Sequence, residues 1–258
     1  MTHAPGLLVG RLFDMGYFRL PVFASSVLFV ACMFLTAECT QYWQLLLFQG
    51  FGMGVASGVV FNIGNMVLTH WFKKRLGLAL AITYSGISVF GWVFPIVVET
   101  LLKHMGFQWT MRVLALIALG LLVATNLTAV GRLPGHQDLG PLLNLAEFTK
   151  PVYAFYVAAV VVNALALTNT FTYITVSAVD AGVDVGFSYD LVVIINAASA
   201  PGQLVGGLLA DRYDPVDVLI CSTLLAALVN VAWPFATHAA TFAAVAVLGP
   251  ALYPGIRW

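Results

Sequence analysis

Polar side chains inside long apolar runs are the residues of this sequence that could bind a solute. The chain has 258 residues, of which 61% are hydrophobic and 9% are charged. A polar group buried in such runs costs free energy unless it faces water or another polar group. Each candidate could line a water-filled cavity or hydrogen-bond to a neighbouring segment, and the sequence leaves both interpretations open. The candidates are Asn62, Asn65, Tyr84, Ser88, Tyr173, Asn196, Ser199 and Gln203.

Three of these residues have helical spacing. Asn196, Ser199 and Gln203 stand at positions i, i+3 and i+7, so they share one face of a helix. A shared face favours a cavity wall more strongly than an isolated polar residue does. The spacing therefore predicts one polar stripe.

Residue patterns that would indicate catalysis are missing from the sequence. Ser188 and Asp190 have no histidine placed as a triad partner, and no Gly-x-x-x-x-Gly-Lys phosphate loop occurs. The three cysteines lack the spacing of a metal site or a disulfide framework. We therefore predict a protein that is not an enzyme, with no catalytic residue, metal or cofactor. The few, dispersed basic residues also argue against nucleic-acid binding.

The apolar runs that carry the polar residues are long enough to cross a bilayer. A hydrocarbon core about 30 Å thick needs about 20 helical residues. Only helices satisfy their own backbone hydrogen bonds in lipid at these lengths, so the fold is predicted to be all-α and polytopic. The runs are 20–37, 43–69, 78–102, 111–130, 151–177, 191–210, 218–236 and a last one that begins at 240.

A basic loop orients these predicted spans. Lys73, Lys74 and Arg75 form the only run of three consecutive charges in the chain, and basic short loops favour the cytoplasm. With this loop inside, most of the eleven Lys and Arg residues lie on the cytoplasmic side. The protein is thus expected to be an integral, multi-pass membrane protein, with the plasma membrane favoured over internal membranes.

Two loops share a Gly-x-Leu-x-Asp pattern. Gly10 and Asp14 form the first copy, and Gly207 and Asp211 form the second, followed by Arg212. Both copies fall on the predicted cytoplasmic side, which indicates two parallel repeats: residues 1–130 and 151–258, joined by a cytoplasmic linker at 131–150. Glycine permits close packing, and the aspartate is expected at the N-terminus of the next helix, facing its dipole. We interpret these five residues as gating loops, an ordinary helix cap being the alternative.

Several segments resemble the monocarboxylate-transporter-like proteins of the major facilitator superfamily, particularly the fungal ones. The similar segments are residues 70–86 (HWFKKRLGLALAITYSG), 106–112 (GFQWTMR), 196–199 (NAAS) and 207–212 (GLLADR). The resemblance implies a fold of two six-helix halves around a site at the membrane midplane. On that register the chain runs from the end of helix 2 to the start of helix 10 of 12, so it is expected to be truncated at both ends and inactive as it stands.

The resemblance also implies a function. It predicts a secondary active transporter of small organic solutes that works by alternating access, with a monocarboxylate and a proton as one expected cargo. Family members usually carry an arginine where this chain has Gln203, which leaves Arg75 as the retained basic candidate near the cavity. An uncharged or weakly acidic solute is therefore an equal expectation. The alternative is a non-transporting membrane protein, a receptor or assembly partner derived from a transporter.

Overall fold

The computed structural model describes residues 6–17, 19–129, 148–236 and 238–251. Its helices are α1 (Gly6–Asp14), α2 (Arg19–Ala37), α3 (Tyr42–Leu45), a π-helical segment (Leu46–Gly52), α4 (Met53–Trp71), α5 (Leu76–Thr128), α6 (Pro151–Asp180), α7 (Val185–Arg212), α8 (Pro215–Ala232), a short 3₁₀ helix (Trp233–Phe235) and α9 (Ala239–Ala251). The described residues contain no strand. The predicted all-α fold is confirmed.

Six helical stretches of the described chain are long and apolar enough to cross a membrane. They are Arg19–Ala37, Tyr42–Trp71, Leu76–Thr128, Tyr153–Thr170, Gly186–Arg212 and Val216–Phe235, with a shorter apolar stretch at Ala239–Gly249. Each covers at least 18 residues, close to the number that spans the hydrocarbon core. The prediction of a polytopic membrane protein is confirmed by these lengths.

The 53-residue helix α5 is broken at Gly106, where φ is 73° and ψ is 175°. Glycine reaches this left-handed φ without a Cβ clash. Val98 and Ala118 pack against the same small cluster around Leu114, although 20 residues of straight helix would separate them by about 30 Å. The chain therefore doubles back at Gly106, between the two apolar runs predicted at 78–102 and 111–130, and α5 provides two spans.

The chain forms two compact units. Unit 1 contains Met1–Lys73 and Val97–Leu143, and unit 2 contains Lys74–Ile96 and Asn144–Trp258. The first part of α5 thus belongs to the same compact unit as α6 to α9. The predicted division into transporter halves at 1–130 and 151–258 stays a prediction. Of the predicted linker at 131–150, residues 131–147 lie outside the described part of the chain.

Unit 1 is held by two apolar clusters. Val9, Phe13, Val22, Val59 and Ile63 join α1, α2 and α4. The second cluster, around Met33 and Leu114, joins α2 to the part of α5 after its break, and its buried members are Met33, Leu114 and Ala115. These contacts pack the helices of this unit.

The π-helical segment at Leu46–Gly52 was not predicted, since the sequence indicated one continuous α-helix over 43–69. Met53 N–H donates to the carbonyl of Phe48, five residues earlier, as a π-helix requires. Gly50 and Gly52 loosen the backbone at this place. Any side chain at Gly52 would collide with Sγ of Cys32 on α2, so the glycine also allows these two helices to approach closely.

Unit 2 has a core built from α6, α7 and α9. Its buried members are Ile174, Ala178, Leu191, Ile195, Ala236, Phe242, Val245 and Ala246. One polar contact supports it: Thr170 Oγ1 on α6 lies 3.0 Å from Asn230 Oδ1 on α8. This core holds in place the helices that carry the candidate sites of this unit.

Candidate functional site

The carboxylate of Asp211 caps the N-terminus of α5. Gly77 N–H donates to Oδ1 and Leu78 N–H donates to Oδ2, each at 2.8 Å. The first four N–H groups of a helix have no partner within it, and they carry the positive end of the helix dipole. One side chain near the end of α7 therefore satisfies two donors of a helix that lies more than 130 residues earlier in the sequence.

This geometry corrects the predicted place of the aspartate. We expected Asp211 at the N-terminus of the next helix, but α7 continues to Arg212. The next helix, α8, is capped by Asp214, whose Oδ1 accepts a hydrogen bond from Val216 N–H at 2.8 Å. The prediction was wrong because the helix runs one residue beyond the motif, which leaves Asp211 directed sideways at α5.

Small residues bring α5 and α7 together beside this cap. A Cβ on Gly77 would lie 2.7 Å from the carbonyl oxygen of Gly207, and a Cβ on Gly207 would lie 2.6 Å from that of Gly77. A Cβ on Gly207 would also collide with the Cβ of Ala81. Both glycines are buried. The crossing therefore requires glycine on both helices, and it sets the distance at which Asp211 reaches the N–H groups.

The other predicted gating residues have separate surroundings. Gly10 lies within α1, where a Cβ would meet the terminal methyl group of Met66 at 3.4 Å. Asp14 is the last residue of α1, and its side chain lies outside the described part of the structure. Arg212 is exposed, with its guanidinium 5.9 Å from the ring centroid of Tyr213. Of the five gating residues, the structure brings Gly207 and Asp211 to α5.

Two residues of the predicted polar stripe of α7, Asn196 and Gln203, face α5. Ser88 Oγ donates to Gln203 Oε1 at 3.2 Å, and Ser88 is only 4% exposed. A Cβ on Gly91 would lie 2.8 Å from Cγ of Asn196, so this amide is packed against the α5 backbone. Ser199 is buried and donates to the carbonyl of Ile195 at 2.7 Å. Gln203 thus bonds to a neighbouring helix, and its assignment to a solute cavity stays a prediction.

The remaining predicted site residues are distributed over both units. In unit 1, Asn62 Nδ2 donates to the carbonyl of Gly58 at 2.7 Å, and Asn65 is half-buried on the same helix. In unit 2, Tyr84 is half-buried within α5 and Arg75 is exposed in the turn before it. Tyr173 lies on α6 with 54% of its surface exposed.

Sequence reasoning missed a cavity that Tyr173 shares with other residues. Its volume is about 730 Å³, and it lies among α6, the 3₁₀ helix and α9. The signal was present in the spacing of four polar residues on α6, although only Tyr173 was predicted as a site residue. The lining residues are Asn169, Tyr173, Ser177, Asp180, Ala181, Trp233, Pro234, Ala236 and Phe242.

Known proteins with similar sequences are transporters. The family model of the Major Facilitator Superfamily matches residues 6–255. The "MFS-type transporter 1" of Ophiocordyceps sp. (strain BCC 1869) is 33% identical over 216 residues, which cover 83% of this chain and 48% of the relative. The "Aspyridones efflux protein apdF" of Emericella nidulans is 30% identical over 244 residues, which cover 94% of this chain and 50% of the relative.

A third relative, the "MFS transporter asaE" of Aspergillus flavus, is 30% identical over 248 residues, or 95% of this chain and 56% of the relative. The chain spans about half the length of the curated relatives it matches. The expectation that it is truncated and inactive stays a prediction. With its membrane-length helices and a family match over almost its whole length, this chain belongs to the Major Facilitator Superfamily, whose members are membrane transporters and not enzymes.

Proposed function

We propose that this protein contributes to a secondary active transporter that moves small organic solutes by alternating access. The observation that supports this most directly is the cap of Asp211 on α5. It is made of hydrogen bonds to backbone groups at a helix end, and water can replace these when the contact opens. A contact of this kind can alternate between a made and a broken state without unfolding either helix.

In this mechanism Asp211 and Gly207 act as a cytoplasmic gate. When the gate is closed, the carboxylate holds the first turn of α5 against α7, and the paired glycines permit their contact. When it opens, water satisfies the N–H groups of Gly77 and Leu78, and the solute pathway becomes accessible from the cytoplasm. On the predicted topology, the basic turn that ends in Arg75 lies at the same end of α5.

The cargo we propose is an uncharged or weakly acidic organic solute. Gln203 is a neutral amide that accepts a hydrogen bond from Ser88, and none of the three residues of the α7 stripe carries a charge. A carboxylate anion would find no ion-pair partner on this stripe. The relative named as an aspyridones efflux protein supports an organic metabolite as the cargo and export as the direction.

A monocarboxylate moved together with a proton is the second candidate. It is favoured by the resemblance of residues 70–86 and 106–112 to monocarboxylate-transporter-like proteins. For this cargo Arg75, which is exposed before α5, would supply the positive charge. The non-transporting alternative, a receptor or assembly partner, predicts no solute movement with either cargo.

Radiolabelled lactate and its uncharged amide, lactamide, distinguish these alternatives. The full chain in liposomes is compared with protein-free liposomes, with and without an inward proton gradient. Saturable lactamide uptake above background supports the neutral-solute proposal, whereas lactate uptake that needs the proton gradient favours the monocarboxylate. Background uptake of both solutes by a folded chain would contradict transport by this chain, and it is the result expected both of an inactive, truncated carrier and of the receptor.

A matched variant tests whether movement of α5 against α7 is needed. Cysteines at Gly91 and Asn196, in a chain whose Cys32, Cys39 and Cys221 are replaced by serine, can be joined by a disulfide. A Cβ on Gly91 would lie 3.4 Å from the Cβ of Asn196, close to the separation in a disulfide, so oxidation should lock the crossing and stop uptake. Reduction should restore it. Uptake that persists in the oxidised protein would contradict the proposed gate.

A further inference from the structure

We propose that unit 2 holds a binding site for amphipathic organic cations in the cavity between α6, the 3₁₀ helix and α9. The site has a polar wall that ends in a carboxylate and an aromatic wall opposite. On the predicted topology it opens at the outer end of α6. This binding is separate from the proposed movement of a neutral or weakly acidic solute, and it can be measured without transport.

The polar wall is one face of α6. Asn169, Tyr173, Ser177 and Asp180 all line the cavity, and their spacing of i, i+4, i+8 and i+11 places them in one row along a helix. The row extends over about 16 Å at 1.5 Å per residue. A polar row of this length on a membrane helix is costly against lipid, which indicates that the row faces water or a ligand.

These four side chains are available to a ligand. None of them makes a side-chain hydrogen bond or ion pair with another residue that the structure describes. The neighbouring face of α6, by contrast, is occupied: Thr170 contacts Asn230, and Ile174 is fully buried. The face of α6 that lines the cavity thus carries four polar groups that are unpaired within the described structure, whereas the face of Thr170 and Ile174 packs against protein.

The opposite wall is aromatic and firmly held. Trp233 and Phe242 line the cavity. Phe242 is 2% exposed and belongs to the core of unit 2, against which Trp233 also packs. Ala236 N–H donates to the carbonyl of Trp233 at 2.9 Å, which fixes the 3₁₀ turn. The wall is therefore preformed, and a ligand would not have to order it on binding.

The charges in the cavity select the class of ligand. Asp180 is exposed at the outer end of the row, and it is the one aspartate, glutamate, lysine or arginine among the lining residues. No described lysine or arginine lines the cavity to neutralise it. An ammonium group beside Asp180 would gain an ion pair, and the Trp233 ring offers a cation–π contact to the same kind of group.

The size of the cavity fits such a ligand. A volume of about 730 Å³ is within the range of roughly 300–1,000 Å³ that is typical of small-molecule sites. The amide of Asn169 and the hydroxyl groups of Tyr173 and Ser177 can hydrogen-bond the polar atoms of a ligand, while Pro234, which is exposed, can contact its apolar part. A carboxylate anion would be repelled by Asp180, so the site discriminates by charge.

Equilibrium dialysis of radiolabelled benzyltrimethylammonium tests the proposal. The full chain is placed in nanodiscs of zwitterionic lipid, and binding to empty nanodiscs is subtracted. We expect saturable binding that Asp180→Asn weakens about tenfold, that Asp180→Glu retains within about threefold and that Trp233→Phe weakens about threefold. Benzyl alcohol and benzenesulfonate, a neutral and an anionic aromatic of similar size, should compete at least about tenfold less well.

Asp190→Asn is the matched control, since Asp190 is an exposed acidic residue at the same predicted side that does not line the cavity. Equal weakening by Asp180→Asn and Asp190→Asn would overturn the site, as would equal competition by benzyl alcohol or no saturable binding to the unmodified chain. Retained binding in a chain that moves no solute would refute the transport function alone. Uptake without cation binding would refute the site alone.

Discussion

Replacement of Asp211 by asparagine tests the cap on α5. Asparagine keeps one carbonyl oxygen but replaces the second acceptor with an amide donor, so one hydrogen bond and the negative charge are lost. A hydrogen bond to a charged group contributes about 1.5–3 kcal/mol, and a carboxylate at a helix N-terminus about 0.3–1 kcal/mol. Asp211 is half-buried, so the lower ends apply. They sum to about 1.8 kcal/mol, a factor of about 20 in the equilibrium between capped and open states.

Hydrogen–deuterium exchange measures this effect directly, because the capped groups are the N–H groups of Gly77 and Leu78. These N–H groups have no acceptor within their own helix, so their exchange depends on the contact with α7. In Asp211→Asn we expect their exchange to be about 20-fold faster, as read from a peptide that begins at or before residue 73 and ends near residue 81. Amides in the middle of α5 should exchange as in the unmodified protein.

Asp214→Asn is the matched control for this experiment. Asp214 makes the same kind of bond to Val216 N–H at the start of α8, so its replacement should speed exchange at α8 and leave the first turn of α5 unchanged. Unaltered exchange at Gly77 and Leu78 in Asp211→Asn would refute the cap. The same acceleration in both variants would show a general loosening of the protein and would equally refute it.

Two further substitutions test the crossing of α5 and α7. Gly207→Ala places a methyl group in collision with Ala81 and should destabilise the protein by about 1–3 kcal/mol. The control Gly64→Ala, where a Cβ would have no atom within 4 Å, should be neutral or slightly stabilising. Thermal unfolding in detergent compares the two variants, and equal melting temperatures would contradict the close crossing. Ser88→Ala removes the donor to Gln203 and should lower the free energy of unfolding by about 0.6–1 kcal/mol. The double variant Ser88→Ala/Gln203→Leu, which also removes the acceptor, should recover part of this loss. A double variant no more stable than Ser88→Ala would refute the bond.

The membrane-spanning helices could be predicted because their signal is local. A bilayer requires about 20 apolar residues in one run, and runs such as 20–37 and 191–210 became α2 and most of α7. The turn at Gly106 was also predictable, because polar residues and a glycine interrupt two apolar runs there. The π-helical segment at Leu46–Gly52 was not, since its apolar composition is that of an ordinary helix.

The partner of Asp211 could not be predicted, because it depends on which helices cross. The motif indicated an aspartate close to a helix end, and a helix N-terminus as its target. The nearest N-terminus in the sequence is that of α8, but Asp214 caps it. Asp211 instead reaches α5, and only the approach of Gly77 to Gly207 in three dimensions makes this possible. A sequence pattern identifies the chemistry of such a group more readily than its partner.

The polar rows of α6 and α7 show why spacing alone could not separate a cavity from a helix contact. Both rows follow helical periodicity, although only the α7 row was predicted as a polar face. Opposite the α7 row stands Gly91, which lets the α5 backbone approach until Asn196 packs against it. Opposite the α6 row, Trp233 and Phe242 line a cavity of about 730 Å³, which leaves room for a ligand. The distance at which neighbouring elements pack against a polar row therefore decides whether its groups bond to protein or remain available to a solute.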